Sequence, residues 1–137
     1  MKRLFFYTIF ALLFILSGCG DGACYNRLKE VDSLTEKNLV DSAQKILETI
    51  EQTYEIKDGK ERAYYSLLKY QLQFRRQNQG YNHPTNDSLI DYSIAYYNKH
   101  IDNNKLALCY YLKGRTSENK NAIKFLKKAE NYISILC

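Results

Sequence analysis

Nucleophilic, acid–base and metal chemistry each need particular side chains at particular spacings, and few of those spacings occur in this chain of 137 residues. His83 and His100 stand alone, away from ligand spacing with any cysteine and without a serine or cysteine nucleophile context. Asp87 with Asp91, and Glu51 with Glu55, lie one helical turn apart, as carboxylates on solvated helix faces commonly do. No Gly-rich phosphate loop and no zinc-hydrolase motif is written in the chain. The expectation is therefore no catalytic residue, no metal ligand, no cofactor and no enzyme activity. Of the four cysteines, none forms a CxxC pair. Cys109, inside Leu106-Ala107-Leu108-Cys109-Tyr110, reads as a small buried apolar residue. Cys24 and Cys137 would pair only if the two ends of the chain met, so no framework disulfide is expected.

Cys19 has a different context. Lys2 and Arg3 precede Leu4 to Leu16, a run broken in polarity only by Thr8 and the tip of Tyr7. At about 1.5 Å per residue the run reaches roughly 20 Å, short of the roughly 30 Å hydrocarbon core, and reads as a secretory signal. The four residues that follow, Leu16-Ser17-Gly18-Cys19, resemble the lipobox of bacterial lipoproteins. That resemblance implies a diacylglycerol on the Cys19 thiol, cleavage after Gly18 and an acylated amine. Two or three acyl chains at about 0.8 kcal/mol per buried CH₂ make an effectively permanent anchor. Residues 1–18 are then a signal peptide that is removed, 19–24 a lipidated tether, and 25–137 the folded domain. Gly20 stands where an Asp would favour inner-membrane retention, which points to the outer membrane of a bacterial envelope.

The net charge of +5 falls to +3 when Lys2 and Arg3 leave with the signal peptide. So weak an excess, spread along the chain, argues against a nucleic-acid surface. Tyrosine is abundant at 13 residues, Trp is absent, and three tyrosine pairs occur: Tyr64-Tyr65, Tyr96-Tyr97 and Tyr110-Tyr111. Neighbours on a helix point about 100° apart, so one member of each pair can enter a core while the other faces outward. The expectation is that Tyr64, Tyr96 and Tyr110 line one concave groove able to hold a peptide or to stack on sugar rings; packing tyrosines with hydroxyls at the water boundary are the alternative. Asp32-Ser33-Leu34, Asp41-Ser42-Ala43 and Asp87-Ser88-Leu89 look like the O-glycosylation acceptor of some bacteria, which would make Ser33, Ser42 and Ser88 modification sites. Capping of helix starts explains two of the three without modification.

The elements that must carry these residues are helical. Apolar residues recur at intervals of three and four in six segments. These are Tyr25, Leu28, Val31; Ala43, Ile46, Leu47, Ile50, Tyr54; Ala63, Leu67, Tyr70, Phe74; Ile90, Ile94, Tyr97, Ile101; Ala107, Tyr110, Tyr111, Gly114; and Ala122, Leu126, Ala129, Ile133. No stretch alternates with period two, so no sheet is expected. Asp41 with Gln44, and Asp58 with Glu61, resemble capping boxes with Asp as the cap. Residues 78–86, Asn-rich with Gly80 and Pro84, form the one long connection.

Ala122-Ile-Lys-Phe-Leu126-Lys-Lys-Ala129 resembles the second-helix signature of a tetratricopeptide repeat, and Tyr110-Tyr111-Leu112-Lys113-Gly114 the first-helix signature around its small position. With the lipobox, Ala63 to Leu68, Asn86 to Ile90 and Tyr96-Tyr97, the chain is similar to the N-terminal part of bacterial tetratricopeptide-repeat lipoproteins. The resemblance implies an all-α fold: a short right-handed array of about three helical hairpins, pairing the segments first with second, third with fourth, and fifth with sixth. It also implies an envelope module that binds a protein or peptide and rests on the bilayer through acylated Cys19. A glycan-binding accessory lipoprotein of a polysaccharide-uptake system and a truncated relic of a longer regulator are the other readings. Two departures stand out. Gly114 and Ala122 are eight residues apart where the repeat has twelve. Tyr132 to Leu136 has no polar outer face, so that end is expected to pack on a partner or back on the array, or to mark a shortened chain.

Overall fold

The computed structural model describes residues 22–57, 59–77, 87–117 and 119–135. The expected signal peptide, Cys19 and the first half of the 19–24 tether, Asp58, the Asn-rich connection with His83, and Cys137 lie outside them. The described residues form six helices and no strand: α1 (Ala23–Glu36), α2 (Val40–Thr53), α3 (Lys60–Gln77), α4 (Ser88–His100), α5 (Asn103–Thr116) and α6 (Asn119–Ser134). The all-α expectation and its six helical segments agree with this. Packing is most extensive within α1–α2, α3–α4 and α5–α6, and the next helix then lies on each earlier pair: α3 on both α1 and α2, α5 on both α3 and α4.

The helix boundaries follow local chemistry, though not always at the expected residue. Asp41 does not cap α2. The helix begins at Val40 with Leu39 at the cap position, because Val40 is buried and Leu39 offers its carbonyl to the Ala43 amide at 3.0 Å. Asp41 thus sits inside the first turn, where its charge meets the positive end of the helix dipole. Gln44 bonds Glu48 at 2.8 Å instead of reaching back. Asp87 occupies the cap position of α4 but makes no capping bond. The side chain that does cap is Asp102, whose Oδ1 accepts from the Lys105 amide at 3.1 Å at the start of α5. Gly59, at φ 98°, takes the left-handed turn into α3, and its amide donates to the Tyr92 hydroxyl at 2.9 Å.

α3 is the wall between two cores. One row, Tyr64, Leu68 and Leu72, packs with Leu28 and Val31 of α1 and Leu47 and Ile50 of α2. The other row, Ala63, Leu67 and Tyr70, packs with Ile90 and Tyr97 of α4 and with Leu106, Cys109 and Leu112 of α5. A helix sandwiched in this way must be apolar around most of its circumference. The expected stripe through Ala63, Leu67, Tyr70 and Phe74 is therefore half of what α3 buries. Polar bonds tie the wall to its neighbours: Ser93 Oγ of α4 donates to the Ala63 carbonyl at 2.9 Å, and the Tyr70 and Thr116 hydroxyls meet at 2.6 Å. Cys24 and Cys109 are free and buried, and burial pushes both thiols up from their ordinary pKa.

Four expected core positions lie outside, Tyr111 of the fifth stripe among them. Ile101, assigned to the fourth stripe, is 78% exposed because the chain leaves α4 there in a left-handed conformation, φ 53°. Leu126 and Ile133 of α6 are exposed, while Phe125, Ala129 and Tyr132 take the contact with α5. The two helices of that last pair come close at Gly114. A Cβ there would stand 2.8 Å from Leu126 Cγ and 3.2 Å from its backbone nitrogen. α5 runs only two residues past Gly114 before the turn to α6.

Candidate functional site

Titratable and aromatic groups gather where α1, α3, α4 and α5 meet. Lys105 Nζ bonds Asp102 Oδ2 at 2.9 Å and stands 5.3 Å from the Tyr64 ring centroid and 5.6 Å from that of Tyr97. Burial opposes the Asp102 carboxylate, but the ammonium and amide of Lys105 outweigh it and hold Asp102 below its ordinary 3.8. Tyr97 is buried with a hydroxyl that finds no partner among the described residues; burial first, then the charges of Cys109 and Asp102, push its pKa up. Tyr64 donates to Asp32 of α1 and is also pushed up, by burial and by that carboxylate. Beside this cluster Tyr25, Lys60, Tyr96 and His100 line a recess of about 160 Å³. Small-molecule sites run to about 300–1,000 Å³, so the recess is undersized for one. The cluster joins helices; its cation is already occupied by Asp102 and two rings.

The tyrosine pairs each split, one ring inward and one outward, but not as expected. Tyr64 is 5% and Tyr110 7% exposed; their partners Tyr65 and Tyr111 are the outward members. Only in the α4 pair does the first tyrosine, Tyr96, reach outward, stacked on His100 with centroids 4.1 Å apart. Tyr64 lies in the first core, whereas Tyr110 lies in the second, stacked on Tyr132 at 5.8 Å and Phe125 at 6.2 Å. Tyr64, Tyr96 and Tyr110 therefore do not share a groove. The phase of each helix is set by the neighbours it must cover, which its own spacing does not reveal. Ser33 is half-buried in α1, while Ser42 in the first turn of α2 and Ser88 at the start of α4 are exposed. Of the carboxylates one turn apart, Asp91 accepts from Lys113, Asp87 from Tyr70, and Glu51 from Tyr65 at 2.7 Å and Lys69 at 2.9 Å. Among the described residues no three His, Cys, Asp or Glu gather to hold a metal ion.

The surface that stands out is the outer face of the α5–α6 pair. A trough of about 540 Å³ runs between these helices, lined by Ala107, Leu108 and Tyr111 of α5 and Leu126, Ala129 and Ile133 of α6, with Asn104 and Glu130 as its polar members. Seven large apolar side chains are exposed among the described residues, and five of them, Tyr111, Ile123, Leu126, Ile133 and Ile135, belong to this end of the molecule. Apolar exposure concentrated in one place, rimmed by charge, marks interaction surfaces. Spacing assigns Tyr111, Leu126 and Ile133 to the core, and cannot distinguish a covered apolar face from an uncovered one. No family model, no curated protein and no solved structure matches the chain.

Proposed function

We propose that this chain is a non-enzymatic protein-interaction module of a bacterial envelope, a tetratricopeptide-like right-handed array of three hairpins held on a membrane, the outer membrane by preference, through acylated Cys19. The anchor rests on the basic n-region, the short apolar run and the Leu16-Ser17-Gly18-Cys19 sequence. In this reading membrane attachment comes from lipid on Cys19; no helix among the described residues is long and apolar enough to cross a membrane. The repeat reading is supported by three successive helix pairs and by the close approach at Gly114. The observation that carries the binding role is the trough on α5–α6, the place where exposed apolar surface collects.

The test places a photo-crosslinking side chain at Tyr111, in the trough, and separately at Gln52, exposed on α2, in bacteria that export the chain with its leader. The reading predicts one discrete protein adduct from position 111 in the membrane fraction and none from 52. It fails if both positions give the same products or neither gives any. Cys19→Ser is expected to release the chain from that fraction.

A further inference from the structure

The molecule shows twice how an apolar trough of this kind is closed. α3 lies on the α1–α2 pair with Tyr64, Leu68 and Leu72, spaced by four, against Leu28, Val31, Leu47 and Ile50. α5 lies in the same manner on α3 and α4. On the α5–α6 pair no described element takes that place. The trough is concave between two helical ridges, a shape that accepts another helix by ridge-into-groove packing and that a flat bilayer surface fills poorly.

Charge narrows the occupant further. α6 carries Lys120, Lys124, Lys127 and Lys128 against a single acid, Glu130. Lys128 lies over the Tyr110 ring at 5.0 Å, while Lys120, Lys124 and Lys127 are exposed and form no ion pair with a described residue. Counting round α6 from Leu126 at about 100° per residue, Lys127 and Lys120 fall on the shoulder of the trough away from α5, and Lys124 falls on the back of the helix. Arg115, exposed, follows Tyr111 by one turn along the α5 bank. Both banks are thus basic, with Glu130 the one acid between them. A second copy docked two-fold would set lysine row against lysine row. A second copy docked head to tail would need an apolar patch at the α1–α2 end, where Leu39 is the one exposed large apolar side chain among the described residues.

We propose that the α5–α6 trough receives an amphipathic α-helix of a partner protein, its apolar stripe bordered by acidic side chains. The proposal rests on the interaction-module reading and adds the chemistry of the partner. The occupant presents apolar side chains at i, i+4 and i+7 or i+8, as α3 does toward α1 and α2, and places Glu or Asp opposite Lys120, Lys127 and Arg115. Complementary charge contributes selectivity and a salt-dependent association rate, while burial of Leu108, Tyr111, Leu126 and Ile133 contributes affinity.

The experiment titrates the processed chain, held in phosphatidylcholine nanodiscs, with two fluorescent peptides of about 18 residues, long enough to cover α6 at 1.5 Å per residue. Both carry the same leucine stripe; one is flanked by Glu, the other by Lys. The Glu-flanked peptide is expected to bind saturably and at least about tenfold more tightly than its Lys counterpart, a preference that shrinks with added salt. Leu126→Glu and, independently, Ile133→Glu abolish binding with helix content unchanged. Lys120→Glu with Lys127→Glu reverses the preference. Equal affinity for the two peptides, or no binding by either, overturns the proposal. So does self-association that Leu126→Glu abolishes, which would make a second copy the occupant, or binding to phosphatidylglycerol vesicles that the same change abolishes, which would make it the bilayer. An adduct from Tyr111 in cells without peptide binding leaves the module reading standing and removes the acidic helix. Peptide binding without any cellular adduct retains the helix-binding trough and removes the module reading.

Discussion

Replacing Gly114 by Ala sets two effects of known sign against each other. In an isolated helix the change would stabilise by about 0.8–1 kcal/mol, because glycine loses more backbone freedom on folding. Here the added methyl would lie 2.8 Å from Leu126 Cγ, 2.9 Å from Cδ2 and 3.2 Å from the Leu126 backbone nitrogen, against an optimum of roughly 3.5–4.0 Å for carbon. The Leu126 side chain is 36% exposed and can swing into the trough. The backbone nitrogen can retreat only if α5 and α6 separate by a few tenths of an ångström, which loosens the Tyr110, Phe125 and Tyr132 stack. Overpacking of this kind costs about 1–3 kcal/mol, so the net expectation is a loss of about 1 kcal/mol, a fall in Tm of roughly 4 °C for a domain of this size. Urea denaturation followed by far-ultraviolet circular dichroism measures it. Adding Leu126→Ala removes the side-chain obstacle, and the double variant should recover about half the loss, a coupling that a mutant cycle isolates. Should Gly114→Ala raise stability by the full helix-propensity gain, the close approach of α5 and α6 is refuted.

Other consequences can be checked on the same material. Tyr97→Phe removes a buried hydroxyl without a partner among the described residues and should leave stability unchanged or raise it by about 1 kcal/mol; a loss of that size would show that the hydroxyl is bonded. Leu72→Ala, in the fully buried row between α3 and the α1–α2 pair, should cost about 2–5 kcal/mol, and a cost under 1 kcal/mol would contradict the two-core wall. The phenols of Tyr64, Tyr97 and Tyr70 are all held above 10.0, Tyr70 at about 12 through burial and the Asp87 charge against a lowering contribution from the Thr116 hydroxyl. The unfolded chain therefore releases those protons first as pH rises. Stability should hold below pH 10 and fall above it, with tyrosinate absorbance and loss of helix rising together; tyrosines that titrate at 10 without unfolding would contradict their burial. Asp102, held below 3.8, carries the opposite dependence: its contribution is present above pH 3.8 and is lost as pH falls below it, and Asp102→Asn should remove that acid-side slope.

How far the sequence reaches can be seen helix by helix. The recurrence of apolar residues at three and four is enough to place all six helices; their pairing follows from the hairpin-repeat resemblance and not from connection length, since the α3–α4 pair spans the long 78–86 connection. It is not enough to choose a phase where a helix is apolar on two sides. In α3 the row Tyr64, Leu68, Leu72 runs beside Ala63, Leu67, Tyr70, and a single-stripe reading keeps one and turns the other toward solvent. The misplacement of Tyr64 follows from that. In α6, Ile123, Leu126 and Ile133 adjoin Phe125, Ala129 and Tyr132, giving an apolar face wider than α5 covers; spacing shows the width but not which half is left open. Capping fails for a local reason. Asp102-Asn103-Asn104-Lys105 has no Glu or Gln at its fourth position and so lacks the capping-box signature, yet Asp102 caps α5. Asp41 has the signature and does not cap, because burying Val40 starts the helix earlier. The trough itself was foreshadowed only by the absence of a polar outer face in Tyr132 to Leu136.

Whether the α5–α6 face is covered in the envelope can be measured directly. In a chain carrying Cys137→Ser, with Cys24 and Cys109 buried, single cysteines at Ile133→Cys in the trough and Gln52→Cys on α2 are labelled with a maleimide, once in the intact envelope and once after purification. A docked partner predicts protection of position 133 in the envelope and rapid labelling after purification, with position 52 reactive in both. Equal labelling of position 133 in the two settings would contradict it.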